Sequence, residues 1–229
     1  LIYELGREGM RMKHIRTLSL PDKAKRHFTQ TYEDRNGTLW AGTNNGLFTF
    51  SLRDNQWHTV CDTLGQVSAL KEDKQGNLWI GTTNKGLYQQ SSKGKCKKIP
   101  SSLSITCLSV QEDSLIWIGT QEGGVYALNP QTGKLTDHTR LCGLNGNIVN
   151  QLEFDVYGHL WIDTNQKLIE YNPKNHSFST YLTTDNSMLL RRFIPTAICK
   201  GHDGRIYFGG IPGICAVTPS ARLDQPSKN

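Results

Sequence analysis

Glu72-Asp73-Lys74-Gln75-Gly76-Asn77-Leu78-Trp79-Ile80-Gly81-Thr82 holds a tight turn and the strand that follows it. Val67 to Glu72 before it is a short apolar run of β type, and Asp73 to Gly76 is a turn in which Gly supplies positive φ. Leu78 to Gly81 is a second strand, and Leu87 to Gln90 and Lys95 to Ile99 supply a third and fourth. The same string stands at Glu33 to Thr43 and, more loosely, around Trp117, Trp161 and Tyr207. The aromatics from Trp40 to Tyr207 are spaced by 39, 38, 44 and 46 residues. A period near 40 without a 3.6-residue apolar rhythm is that of propeller blades rather than helical repeats.

The sequence therefore predicts an all-β propeller of about five repeats of four-stranded antiparallel blades. The predicted units are a partial blade at 1–20, blades at about 27–60, 66–99, 104–140 and 147–182, a partial last blade at 193–219, and a disordered tail or linker at 220–229. Leu1 to Leu5 and Met10 to Leu18 match third and fourth strands with no first two before them, so a slice of a larger ring is expected. The repeated Trp is expected to wedge between blades, because a lone blade leaves both faces apolar. No run nears the roughly 18 apolar residues of a membrane helix.

Asp-x-x-Gly-x-Leu-Trp-x-Gly-Thr-x-x-x-Gly-Leu, present without a gap from Asp73 to Leu87, resembles the two-component regulator propeller repeat. That repeat builds the periplasmic sensor region of Bacteroides-type hybrid two-component systems. Asp203 to Gly210, followed by Gly213 and Thr218-Pro219, is similar to that family's final blade, which precedes an immunoglobulin-like module. The resemblance runs from about Leu1 to Pro219 and implies the C-terminal part of a second, seven-bladed propeller. It further implies a periplasmic ectodomain of an inner-membrane protein, sensing an oligosaccharide and controlling polysaccharide-utilisation genes. The remaining propeller, the immunoglobulin-like module and a second copy in a homodimer are the implied partners; histidine kinase, receiver and DNA-binding modules lie outside these residues. The fourth unit departs from the pattern, with Asp163 for the repeat's Gly and Lys167 near the later Gly, and a looser turn is expected there.

Chemistry is sparse by comparison. The Asp-x-x-Gly-x-x-Trp string is also similar to the Asp-box of sialidases, where it shapes a turn far from the catalytic centre. The seven histidines stand singly, with no His-x-His, Cys-x-x-Cys or His-Glu-x-x-His, so neither a metal nor a catalytic residue is expected. The turns at Asp34, Asp73 and Asp203 lack the alternating oxygens of a calcium loop. Gly42 to Gly46 and Gly209 to Gly213 precede strands rather than the helix that a phosphate cradle needs, and no cofactor is implied. Cys107, Cys199 and Cys215 are expected to be small buried hydrophobes, and the six thiols to be mostly free. The net charge of +6 and the cluster Lys93, Lys95, Lys97 and Lys98 read as a solvated strand edge, without the interleaved aromatics of a nucleic-acid surface.

Ligands usually meet a propeller where the loops joining strands two and three, and successive blades, converge. Those loops supply Asn44, Asn84, Lys85, Gln121 and Asn165, and Arg26, Arg191 and Arg192 from the interblade class. Amides and cations suit the hydroxyls, carboxylates or sulfates of a sugar chain. A propeller enzyme (lyase or glycosidase) and a protein-interaction scaffold are the alternatives. The first needs a convergent acid, base and Arg set, and the second finds no Trp-Asp dipeptide.

Overall fold

The computed structural model describes residues 2–5, 12–16, 27–51, 53–92, 94, 96–111, 115–182, 192–211 and 213–221. A hairpin of β1 (Ile2–Leu5) and β2 (Met12–Arg16) comes first. Blade 1 is β3 (Phe28–Glu33), β4 (Leu39–Thr43), β5 (Gly46–Ser51) and β6 (Gln56–Cys61). Blade 2 is β7 (Val67–Glu72), β8 (Leu78–Thr82), β9 (Gly86–Gln90) and β10 (Cys96–Ile99). Blade 3 is β11 (Ile105–Val110), β12 (Ile116–Thr120), β13 (Val125–Leu128) and β14 (Leu135–Asp137). Blade 4 is β15 (Val149–Phe154), β16 (Leu160–Thr164), β17 (Lys167–Tyr171) and β18 (Phe178–Leu182). Blade 5 has three strands, β19 (Arg192–Lys200), β20 (Ile206–Ile211) and β21 (Ile214–Val217). Within each blade the strands pair antiparallel in chain order, and the first strands of successive blades lie side by side. The molecule is an all-β propeller.

The repeated Asp explains both turn and wedge. Asp73 Oδ1 accepts from the amides of Gln75 and Asn77, closing the β7–β8 turn, while Oδ2 accepts from Trp79 Nε1 at 2.9 Å. Asp34 does the same for Trp40, Asp155 for Trp161, and Asp203 for the Tyr207 hydroxyl. In blade 3, where no Asp stands, Gln111 Oε1 takes the Trp117 indole at 2.8 Å. The indole N–H is thereby satisfied as the ring enters the core, and Trp79, Trp117 and Trp161 are all buried.

The Gly-Thr pair has two separate duties. A Cβ on Gly81 would sit 2.6 Å from Ile105 Cγ2, and one on Gly119 2.6 Å from Val149 Cγ1, so this glycine lets the next blade's first strand approach. The threonine hydroxyl clamps the following turn: Thr43, Thr82, Thr120 and Thr164 donate from Oγ1 to the carbonyls of Gly46, Gly86, Gly124 and Lys167. Blade 4 keeps the clamp, and Asp163 pairs with Gln151 and Leu168 beside the same register shift that blades 1, 2 and 3 show, so the looser turn expected there is absent. The clamp uses Thr164, which blade 4 retains.

Neighbouring blades are laced on the turn face as well. Arg35 pairs with Glu72 at 2.7 Å and donates to the carbonyls of Lys74 and Asp73, tying the first turn of blade 1 to that of blade 2. All six cysteines are free thiols. Cys107 and Cys142 are buried in the core between blades 3 and 4, but Cys199 is exposed, against the sequence expectation. Ile198 turns inward toward Phe208, and the strand's alternation puts Cys199 on the opposite side, where no further described blade covers it.

Candidate functional site

The first strands of the five blades line a central channel. A cavity of about 250 Å³ there is bounded by Gln30 and Tyr32 of blade 1, Ser68 and Lys71 of blade 2, Thr106 and Cys107 of blade 3, Gln151 and Ile198. Its walls are stitched by hydroxyls at the second position of the inner strands. Ser68 Oγ donates to Ile105 O at 2.6 Å, and Thr106 Oγ1 to Val149 O at 2.5 Å. These polar groups serve interblade contacts, so they fix the bore rather than stand ready for a ligand. Lys71 Nζ meets Glu153 Oε2 at 3.3 Å, pairing the one lysine of the cavity with a blade 4 carboxylate.

Asp163 lies beside this channel with 1% of its surface exposed. Its Oδ1 has no hydrogen-bond partner, and Asn150 bonds the carboxyl group. Burial, partly offset by Asn150, raises its pKa to about 7. Burial also pushes the Cys107 thiol up to about 12, which leaves it a poor nucleophile at neutral pH. A carboxyl group and an inert thiol do not make the acid, base and Arg set of a glycosidase or lyase.

On the loop face, the sequence-derived candidates separate into groups. Asn44 is part of the fold, since its Oδ1 accepts from His27 N at 3.0 Å. Lys85 reaches back to Thr63 O at 2.7 Å, and Lys167 reaches Gly143 O at 2.6 Å in the same way, so both ammonium groups brace the preceding interblade loop. Asn84, Gln121 and Asn165 are exposed at the tips of the turns of blades 2, 3 and 4. Gln121 is also held by its amide, which donates to Ser104 O at 2.9 Å. Arg26 and Arg191 lie outside the described residues, as does the stretch 183–190; Arg192 opens β19, its backbone paired with Ile211.

The opposite face carries a cleft that sequence reasoning missed. It measures about 420 Å³ and is bounded by Gln111, Glu153, Tyr157, Lys174 and Lys200, with Val156 beside them. Val156 and Tyr157 are 58% and 44% exposed, an apolar pair at the turn position where blade 2 has Lys74 and Gln75. That polar-to-apolar change within an otherwise constant turn was the available signal.

One of the scattered histidines meets two carboxylates. His159 is buried, with Nδ1 3.0 Å from Glu170 Oε1 and 3.7 Å from Asp155 Oδ2. The arrangement has the residue types of a metal centre, and it is the one such His, Cys, Asp and Glu cluster among the described residues. Its oxygens are already engaged, Asp155 by the Tyr157 and His159 amides and the Trp161 indole, Glu170 by His159 and the Tyr181 hydroxyl. It is a hydrogen-bonded polar core of blade 4. No helix among the described residues is long and apolar enough to cross a membrane.

The family model for the two component regulator propeller matches residues 24–45 and 63–84, which hold the second and first of the strings described above. Histidine kinase P4 of Formosa agariphila is 27% identical over 110 residues, 48% of this chain and 8% of that protein. The extracellular domain assigned to the hybrid two component system BT3049 of B. thetaiotaomicron superposes with a TM-score of 0.77 and 23% identity, over 96% of this chain and 31% of that one. A virginiamycin B lyase from Staphylococcus aureus, determined with quinupristin, gives a TM-score of 0.67 and 17% identity over 90% of this chain and 75% of that one. At these identities the solved structures share the fold, and the chain spans under a third of the extracellular domain it matches. The chain is a β-propeller in which residues 24–45 and 63–84 match the two component regulator propeller model.

Proposed function

We propose that this chain is part of a periplasmic sensor propeller of a hybrid two-component system, which recognises an oligosaccharide and so controls genes for polysaccharide use. The observation that carries this reading is the repeat itself, matched at residues 24–45 and 63–84, on a fold shared with the extracellular domain of such a system. The role is binding rather than chemistry. Asn84, Gln121 and Asn165 would offer amides to sugar hydroxyls, with Arg26 and Arg191 of the interblade segments and Arg192 at the start of β19 meeting acidic substituents. Lys85 and Asn44 hold those loops in place. The kinase, the rest of the ectodomain and a second copy are partners supplied outside these 229 residues.

Isothermal titration of the complete ectodomain, and of this chain, against defined oligosaccharides tests the reading. Binding by the ectodomain, weakened at least tenfold by Asn84→Ala with Gln121→Ala, supports the loop face. Loss through Tyr157→Ala instead would move the site to the opposite cleft, where an exposed aromatic ring can stack on a sugar. Absence of heat with every sugar would overturn the sensing role.

A further inference from the structure

Cys61 and Cys96 meet across the seam between blades 1 and 2. Cys61 closes β6 and Cys96 opens β10, so each belongs to the outer strand of its own blade, 35 positions apart in the chain. Both pack on one apolar core, formed by Leu47 and Leu64 beside Val67, Leu70, Leu78 and Ile80. The Cys96 thiol is hydrogen-bonded to the Cys61 thiol. Tyr88, on the same core, stands near both sulfurs: burial, then Cys61 and Cys96, raise its pKa. Neither thiol is sealed, since both are partly exposed. Cys107 and Cys142 also share one core, but both are buried, where a reagent in solution does not reach them.

A disulfide requires the sulfurs to close from hydrogen-bond contact to about 2.05 Å. Strand ends can supply that movement, and Cys61 is the last residue of β6 while Cys96 is the first of the four-residue β10. Cys61 Sγ also lies 3.5 Å from Thr63 Oγ1, a hydroxyl that can donate to a thiolate. Burial and the neighbouring Cys61 hold the Cys96 thiol protonated, with its pKa pushed up to about 11. That contrast makes Cys61 the entry thiol and Cys96 the resolving one.

We infer that Cys61 and Cys96 are a site of oxidative modification, at which a disulfide donor converts the two thiols into a disulfide between blades 1 and 2. The Cys61 thiolate attacks one sulfur of the donor R–S–S–R, displacing one RS⁻ and leaving a mixed disulfide on Cys61. Cys96 then gives its proton to solvent, and its thiolate attacks the Cys61 sulfur and displaces the second RS⁻. The two protons released by the cysteines end on the two RS⁻ groups. The cysteine pair is thus oxidised by two electrons, and the donor is reduced to two thiols. The crosslink would join the outer strands of the two blades and fix the loop in which Lys85 holds Thr63. It needs only a disulfide donor, and so stands apart from the oligosaccharide reading.

The test treats the native 229-residue chain with oxidised glutathione, alkylates the remaining thiols in denaturant, and maps the digested peptides by mass spectrometry. The Cys61 and Cys96 peptides are expected to be joined in most molecules, two hydrogens lighter than their sum. In Cys96→Ser, which cannot resolve the mixed disulfide, glutathione is expected to stay on Cys61. Recovery of both thiols alkylated, glutathione left on either of them in the parent without a crosslink, or its absence from Cys61 in Cys96→Ser would overturn the assignment. So would crosslinks spread evenly among the six cysteines, which is the pattern of an unfolded chain.

Discussion

Gly42, Gly81 and Gly119 stand where the next blade's first strand leaves no room for a side chain, yet blade 4 places Asp163 at that position. Substitution of the smallest residue by a carboxylic acid has an electrostatic consequence. In the unfolded chain the group titrates near 3.9, and in the fold burial raises it to about 7. Below about pH 4 both states hold the proton and the residue exacts no penalty. Between about pH 4 and 7 the unfolded state gives up its proton while the folded state keeps it, so stability falls as pH rises, by up to about 4 kcal/mol. Asp163→Asn keeps the shape and removes the charge, although its amide must settle where Oδ1 now has no partner. The variant is expected to be more stable than the parent by about 1–3 kcal/mol at pH 8 and equal to it near pH 4. Urea denaturation across that range checks this, and a difference that does not change with pH would sink it.

Blades 2 and 4 are the same element solved with different chemistry. In blade 2, Asn77 donates from Nδ2 to Asp73, and the residue opposite Trp79 is the neutral Gln89. In blade 4 the equivalent positions hold His159 and Glu170, and the imidazole lies between two buried carboxylates. Removing one member of a buried charged group strands its partner. His159→Asn alone is therefore expected to cost about 3 kcal/mol and Glu170→Gln about 2 kcal/mol, whereas the double variant rebuilds the blade 2 arrangement. The double change should cost about 2 kcal/mol less than the two singles together, and additivity within about 0.5 kcal/mol would refute the coupling. The strands themselves were legible: Val67–Glu72 matches the sequence reading to the residue, because a period of two and a Gly-containing turn are local signals. The groups that decide each interface were not, since Lys85 with Thr63, Arg35 with Lys74, and His138 with Tyr171 join residues 22, 39 and 33 positions apart. Of the loop-face residues, spacing identified which were polar but not which were already bonded to the fold.

At the scale of the molecule, each blade buries its faces against its neighbours alone, so stability is a sum of blade terms and interface terms. Strands β8, β12 and β16, the second strands of blades 2, 3 and 4, are buried at every residue. Blades 1 and 5 each meet one described blade of comparable size, and their apolar side chains are correspondingly open: Phe28 is 42% exposed, Ile211 53% and Ile214 75%. Local opening should therefore begin at these two blades while the central three remain closed. Hydrogen exchange on this chain is expected to show amides of β12 and β16 protected longest and those of β20 and β21 released first, by a factor of at least 100. Equal protection across all five blades would mean that the ring opens as one cooperative unit, and that its interfaces are stronger than nearest-neighbour burial allows. Packing a further blade, from the rest of the ectodomain, against Ile211 and Ile214 should slow exchange in blade 5 while leaving blade 3 unchanged, since blade 3 already has a neighbour on each side.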